Sequence, residues 1–483
     1  MKITNKKYWL EQLMEAKPDK IGFVDKGKQF TYLQIWKLVK DFAVSLSNKG
    51  IKEKNHVAIL SNNSIEFIIV VNALWLLGAV PVPLNIRLRP NEINKLLIHS
   101  ESNFIIKINS KINFDKIRCD NKIDFSLNVK IKSGKINFVK FDKNRTAVLM
   151  YSSGSTGNPK CVQLSFNNLF SSFESFKKFI QCSPKDIWIA SLPFYHIGGF
   201  SIITRSLLCA NKIIFPKSFS NDDIAFVIEK ENPTYLSLVS TTMKRLLDNN
   251  IKPNRNLKAL FLGGGPITEK LITECLNNNY PIVKVYGSTE TASMVTAISK
   301  KELNGKPFSV GKPLQNVKIE IKKENESKKT KSGEIVVCSG SVAEGYFNFP
   351  KNLHSKIVNN KFFTGDYGWL DKEGYLYVEG RKDDIIISGG ENIVLTEIEQ
   401  FVQTIDFVED CATLKIPDKT WGESYLLFVA LNKDDKSNEK NVLSKLKEKF
   451  AGFKLPKKIY IVSTIPRNQL GKVKKQELKK LLS

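Results

Sequence analysis

Apolar residues recur along the first half of the chain in two alternating rhythms. Tyr32, Ile35, Leu38, Val39, Phe42, Ala43 and Leu46 share one face at helical spacing, behind Thr31 as the opening residue. Shorter unbroken runs, Val57–Leu60 and Ala79–Leu84, read as buried strands, with a helix from Ile65 to Leu77 between them. The alternation returns further on. Strands are expected at Thr146–Tyr151, Trp188–Leu192, Tyr235–Val239, Leu257–Leu262 and from Val283, with helices at Ser165–Phe179, Asp222–Glu229 and Thr242–Asp248. Such an order predicts βαβ units and a parallel-rich sheet. A short amphipathic helix, Tyr8–Ala16, and a hairpin, Ile21–Phe30, precede it; residues 101–144 have few long apolar runs and read as short strands and turns.

From about Lys306 the pattern shortens. Val317–Lys322, Gly333–Val337 and Gly345–Phe347 predict a small β-rich subdomain. A helix at Thr396–Thr404, strands at Val408–Ile416 and Leu426–Leu431, and a lysine-rich helix at Glu439–Phe450 then predict a small α+β unit. The fold class is therefore α/β, with a large N-terminal domain (1–381) of parallel-rich βαβ sheets plus the β-rich subdomain and a small C-terminal α+β domain (382–483).

Composition narrows the setting. The apolar stretch Phe67–Leu84 is interrupted by Asn72, Gly78, Pro81 and Pro83, which favours a buried helix and strand over a membrane span, and MKITNKKYW lacks an apolar signal core. Seven scattered cysteines without CxxC spacing, and four histidines, fit a reduced cytosolic protein without a zinc site. The formal charge of +26 raises nucleic-acid binding, yet the excess is lysine rather than the bidentate base reader arginine. Most of it reads as solvated surface, and it equally suits polyanionic small ligands.

Candidate chemistry clusters after strands. The strand ending at Tyr151 runs into Ser152-Ser153-Gly154-Ser155-Thr156-Gly157-Asn-Pro-Lys160, where hydroxyls, two glycines and a cation are suited to phosphates; a plain Ser/Gly turn is the alternative, and Walker A spacing is absent. Gly263-Gly264-Gly265 permits close backbone approach to a flat ligand, or simply a tight turn. Tyr286-Gly287-Ser288-Thr289-Glu290 offers an aromatic face, a hydroxyl and a carboxylate within five residues; taken singly, Glu290 reads as an ordinary helix N-terminal acid. Asp366, in a Gly-flanked turn, is either a turn acid or a bidentate acceptor for ribose hydroxyls, and Arg381 is a partner for a surface carboxylate or for ribose and phosphate oxygens. His196 stands between a buried strand and a glycine pair, the ligand-facing edge of an α/β sheet, although a lone histidine is more often structural. Lys472, behind Gly471, competes with Lys474 and Lys475 for any catalytic role.

In order, the loop LMYSSGSTGNPKCVQ, YGSTE, the TGD turn, GRKDD and PRNQLGK resemble the motifs of the AMP-forming acyl and aryl adenylating enzymes, and the resemblance spans nearly the whole chain. It implies ATP, Mg²⁺ and coenzyme A as ligands and a small-molecule carboxylate as substrate. A homodimer is a separate option, and the lysine-dominated charge argues against specific nucleic acid. The resemblance further implies that Tyr286 stacks on adenine, that Thr289 binds phosphate and joins Glu290 at Mg²⁺, that Asp366 binds ribose, and that Lys472 is the catalytic lysine. On the same ground a mobile C-terminal domain would turn about Asp383 and present the Gly389-Gly390 loop to CoA. His196 would gate the substrate pocket. LPFYHIGGFSIITRS, LGGGP and YGSTETAS are most similar to the o-succinylbenzoate-CoA ligases of menaquinone biosynthesis, with Gly198-Gly199 and Met294 as departures, and Arg205 is the candidate for a second substrate carboxylate. A general fatty-acyl or aryl-CoA ligase is the alternative, and an inactive basic nucleic-acid-binding relative is the alternative of another class.

Overall fold

The computed structural model describes residues 3–110, 112–127, 136–152, 160–265, 267–323, 331–348, 356–381, 385–388, 391–418, 420, 422–432, 435, 437–468 and 471–482. Its largest sheet has nine strands, in the order Lys312–Pro313, Ser293–Ser299, Ile282–Ser288, Ala259–Leu262, Tyr235–Leu238, Ile187–Ile189, Lys212–Phe215, Ile21–Asp25 and Lys28–Thr31. The strands from Ile282–Ser288 to Ile21–Asp25 run parallel, and antiparallel pairs close both edges. Their carboxyl ends consequently open on one side, where ligands gather in α/β sheets.

A second, four-stranded sheet is parallel throughout, in the order Val80–Leu84, His56–Ser61, Ser102–Ile108, Asn121–Phe125. Ser102–Ile108 falls in the stretch read as short strands and turns. Asn103 and Lys107 break its apolar run, yet the alternate side chains are buried and the strand is a central member of the sheet. Helix Pro90–His99 was also unanticipated; Pro90 opens it and Glu92 accepts from the Arg89 N–H at 2.7 Å. The expected helix behind Thr31 forms at Tyr32–Asn48, with Thr31 and Gln34 exchanging cap hydrogen bonds at 3.2 and 2.8 Å.

The third sheet carries the phosphate-loop candidate. Thr146–Ser152 pairs with Lys160–Ser165, which pairs in turn with Gly345–Tyr346. Gly345–Tyr346 was read as part of the β-rich subdomain; instead it adds to this hairpin, because a two-residue strand can join whichever edge its chain passes. The subdomain sheet is built from Val317–Lys322, Gly333–Ser339, Lys361–Leu370, Ile357–Val358 and Leu376–Arg381.

Helix Ile65–Leu76 is buried on every side and anchors the hairpin. Trp75, 1% exposed, donates from Nε1 to the Ala147 carbonyl at 2.7 Å and packs edge-on against Trp9 and Phe166. No helix among the described residues is long and apolar enough to cross a membrane.

The C-terminal sheet runs Glu391–Val394, Ile385–Ser388, Gly422–Leu431, Val408–Asp418, with Lys458–Val462 parallel to Gly422–Leu431. Ile398, Val402, Val442 and Leu446 from two helices share one core with the sheet, and Ile465 and Leu478 share another. The segment that carries Lys472 is thus packed by its flanks. The proposed boundary at residues 381/382 abuts residues 382–384, outside the described residues.

Trp75→Ala should cost about 3–5 kcal/mol of stability through cavity formation and loss of the Ala147 hydrogen bond, measured by urea unfolding of the N-terminal domain, whereas Trp75→Phe should cost clearly less. Equal stability of both variants to the wild type would contradict this anchoring.

Candidate active site

Three loops leave the carboxyl edge of the large sheet together. Ala259–Leu262 runs into Gly263, where a Cβ would meet the Val285 side chain at 2.6 Å, and then into Gly264 at φ +87° and Gly265. Ile282–Ser288 delivers Tyr286 through Glu290. Ile187–Ile189 leads to His196, which caps a helix, Ile197–Cys209, that the Gly198-Gly199 pair had hidden from the periodicity. Gly199 has no room for a side chain, since its Cβ would sit 2.2 Å from the Pro193 carbonyl oxygen. Asn63 pins this exit: Nδ2 donates to the Ala190 and Leu192 carbonyls at 2.9 and 2.8 Å, and Oδ1 accepts from the Phe194 N–H at 3.0 Å.

The backbone around Glu290 is unusually constrained. A Cβ on Gly287 would lie 2.0 Å from the Ser293 carbonyl oxygen, so only glycine fits this bulge. A 3₁₀ turn, Thr289–Thr291, follows, and then Ala292 and Ser293 at φ 50° and 96°. Two consecutive non-glycine residues in left-handed conformations cost on the order of 1–3 kcal/mol each. Thr291 Oγ1 accepts from the Ser288 N–H at 2.9 Å and donates to the Ser293 carbonyl at 2.8 Å, while Ser172 Oγ donates to the Ala292 carbonyl at 2.8 Å. These bonds hold the turn.

The turn sets Glu290, 8% exposed, against Tyr346, whose hydroxyl donates to its Oε1 at 3.0 Å. Lys160 Nζ lies 5.2 Å from the Tyr346 ring centroid, and Lys160 pairs with Ser152 across the hairpin. Both ends of the phosphate-loop candidate therefore meet beside the residue that holds Glu290. Ser153, Gly154, Ser155, Thr156 and Gly157 lie outside the described residues, as do Asp383, Gly389 and Gly390. Thr289 is half-buried at the start of the turn, and Ser288 Oγ is buried with no hydrogen-bond partner among the described residues.

On the other side, Tyr286 donates its hydroxyl to Asp366 Oδ2 at 2.7 Å, and Arg381 Nε stands 3.1 Å from Asp366 Oδ1. Asp366 and Arg381 face each other across paired strands, so this cluster is fixed by register. Burial, reinforced by the Asp366 charge, pushes the Tyr286 phenol well above its ordinary pKa; it remains a neutral donor.

Lys472 completes the cleft. Its residue is exposed overall, yet enough protein surrounds the ammonium that burial lowers its pKa below the ordinary lysine value. Arg381 lowers it further, whereas Asp366 and Glu290 raise it, which places the ammonium within the field of all three. His196 is held neutral, its pKa brought down to about 4 by burial, then by Lys472 and Arg87. The rival Lys474, which precedes the last helix, pairs with Glu477 on that helix at 2.9 Å. Sequence reasoning missed Tyr346, Ser172, Asn63 and Arg87.

Arg205 is packed inside, 4% exposed, its guanidinium 4.7 Å from the Phe176 ring centroid. Nη2 donates to Ser172 Oγ at 3.3 Å, and Nε has no partner among the described residues. Burial drives its pKa down to about 9, and no carboxylate contributes to that balance.

No group of three or more His, Cys, Asp or Glu side chains gathers for a metal among the described residues. The donors fit Mg²⁺ that uses one carboxylate, Glu290, with the Thr289 hydroxyl and phosphate oxygens, since this ion keeps several waters.

Comparison with known proteins agrees with this geometry. The AMP-binding enzyme family model matches residues 10–347, and that for the AMP-binding enzyme C-terminal domain matches residues 397–472. The chain is 32% identical to a 2-succinylbenzoate--CoA ligase of Oceanobacillus iheyensis, covering 98% of this chain and 99% of that one. Its fold matches o-succinylbenzoate CoA synthetase of Bacillus subtilis in complex with the acyl-adenylate OSB-AMP, at TM-score 0.90 and 29% identity over 98% of both chains. The same Bacillus enzyme with ATP and magnesium also gives a TM-score of 0.90, with 98% and 99% of the chains covered, whereas its double mutant with the product analogue OSB-NCoA gives 0.75 over 98% of both. With its motifs, its two-part fold and its family models all in register, the chain belongs to the AMP-binding enzyme family.

Proposed function

We propose that this protein is an ATP-dependent, AMP-forming acid–thiol ligase that converts o-succinylbenzoate to its CoA thioester, the activation step that serves menaquinone biosynthesis. The observation that carries the substrate choice is Arg205. A buried guanidinium without a carboxylate costs several kcal/mol. A substrate with a second carboxylate would offset that cost, and a dicarboxylate is part of the relatives' own names. A fatty acid or a simple benzoate has no second charge to supply.

In this reading the site performs two steps. The reacting carboxylate attacks the α-phosphorus of ATP, releasing pyrophosphate and leaving an acyl-adenylate; the CoA thiol then attacks the acyl carbon and AMP departs. Mg²⁺ held at Glu290 and Thr289 would neutralise charge on the phosphates. Residues 152–157 and Lys160 cradle the β- and γ-phosphates, Gly263–Gly265 and Tyr286 border the adenine, and Asp366 with Arg381 binds the ribose. Lys472 supplies a point charge where negative charge builds on the α-phosphate and carboxylate oxygens. Its depressed pKa follows from burial and from the neighbouring Arg381 charge, which phosphate oxygens would counter. Neutral His196 lines the carboxylate pocket without competing as a cation for the substrate. The greater likeness to the adenylate-bound relative supports an adenylate-forming arrangement, with Lys472 engaged. Rotation about Asp383 would later bring Gly389-Gly390 to CoA. Reduced, free cysteines suit a cytosolic setting.

A CoA-ligation screen over o-succinylbenzoate, benzoates and fatty acids should find o-succinylbenzoate turned over best; an inert o-succinylbenzoate beside reactive fatty acids would overturn the substrate choice. No ligation or pyrophosphate exchange with any acid, alongside steeply salt-dependent nucleic-acid binding, would favour the inactive basic relative.

Arg205→Met should raise KM for o-succinylbenzoate about ten- to a hundredfold, as expected for losing a charge-assisted contact of roughly 1.5–3 kcal/mol, and change that for a monocarboxylate far less. Equal losses on both substrates would mean that Arg205 only props up the Glu290 turn.

Because burial, then Lys472 and Arg87, bring the His196 pKa down to about 4, the pH profile of kcat/KM should carry no ionisation near 6.5 that depends on this residue. An inflection there that vanishes in His196→Asn would contradict this.

A further inference from the structure

The loop before Lys472 is braced from outside the cleft. Arg467 Nε and Nη2 grip Asp410 through Oδ2 and Oδ1 at 2.7 and 2.6 Å, a bidentate pair. The same guanidinium also donates to two carbonyls: Nη1 to Gly471 at 2.8 Å and Nη2, through its second N–H, to Cys411 at 3.1 Å. Gly471 is the residue directly before Lys472 and lies at φ +76°, a conformation that favours glycine. Asn468 tightens the loop from within, accepting the Lys472 N–H on Oδ1 at 3.0 Å and donating its own N–H to the Lys472 carbonyl at 2.8 Å. Arg467 also pairs with Val473 in a β-bridge, and the Lys474 N–H reaches the Pro466 carbonyl at 2.8 Å.

Asp410 sits at a register shift in strand Val408–Asp418, a strand packed on both faces, and its Oδ1 accepts from the Cys411 N–H at 2.8 Å. The brace therefore runs from a rigid sheet, through one guanidinium, to the peptide bond that carries Lys472. A flexible four-carbon side chain is aimed only as well as its Cα is held.

We propose that Arg467 and Asp410 are positioning residues for adenylation, which set the reach of Lys472 by clamping the Gly471 carbonyl. The proposal rests on the reading of Lys472 as the adenylation lysine. Neither clamp residue is placed at the phosphates or the substrate. Both should therefore matter for the step that uses Lys472 and little for the step that does not.

The test is a pair of half-reactions on the full-length enzyme: o-succinylbenzoate-dependent pyrophosphate exchange, and CoA thiolation of chemically prepared o-succinylbenzoyl-adenylate. Arg467→Lys and Asp410→Asn are compared with Lys472→Ala. Each clamp variant should slow exchange about ten- to a hundredfold, the penalty of an ångström-scale misplacement, while thiolation stays within about twofold. Adding Lys472→Ala to Arg467→Lys should slow exchange no further than Lys472→Ala alone. Unchanged exchange in the clamp variants beside a crippled Lys472→Ala would overturn the clamp and leave the lysine reading intact. Equal loss of both half-reactions in both clamp variants would show a merely structural role. Normal exchange in Lys472→Ala would overturn the lysine reading and the clamp with it.

Discussion

The ammonium of Lys472 is held in a cleft where burial, and then Arg381, disfavour its charge, while Asp366 and Glu290 favour it. The rest of the site can be understood from that balance. Asp366 is engaged by Tyr286 and Arg381, and Glu290 accepts from Tyr346, so both carboxylates are fixed in place beside the lysine. Neutralising His196 removes one further positive charge from a pocket that already holds Lys472 and Arg87.

Rigidity follows from the same demand. The left-handed pair Ala292 and Ser293 stores strain beside Glu290, and Ser172 restrains it by hydrogen bonding to the Ala292 carbonyl. Arg205 donates to that same serine, so the residue proposed to greet the distal carboxylate is bonded, through one hydroxyl, to the turn that carries Glu290. Preorganised donors of this kind act strongly because they do not have to reorient as charge develops.

Much of this was legible in the chain because each motif is locally encoded. Tyr286 to Glu290 are consecutive, and Gly287 is required by the close Ser293 carbonyl, so the string itself specifies the bulge and turn. Strand alternation likewise revealed the parallel sheet. Tyr346 and Ser172 were not legible, since they reach Glu290 and Ala292 across 56 and 120 residues, and a tyrosine in a short strand or a serine in a helix carries no signal of its own. Gly198-Gly199 hid helix Ile197–Cys209 for a physical reason: Gly199 is needed where the helix start meets the Pro193 carbonyl, and helical periodicity does not anticipate that contact.

The central claim is that this arrangement directs a substrate carboxylate oxygen to the α-phosphorus of ATP. It is tested most directly by turning over o-succinylbenzoate with heavy oxygen in its carboxylates, together with ATP and CoA, and analysing the nucleotide by mass spectrometry. The account predicts one labelled oxygen in AMP and none in pyrophosphate. Unlabelled AMP, or label in inorganic phosphate with ADP as the nucleotide product, would contradict it.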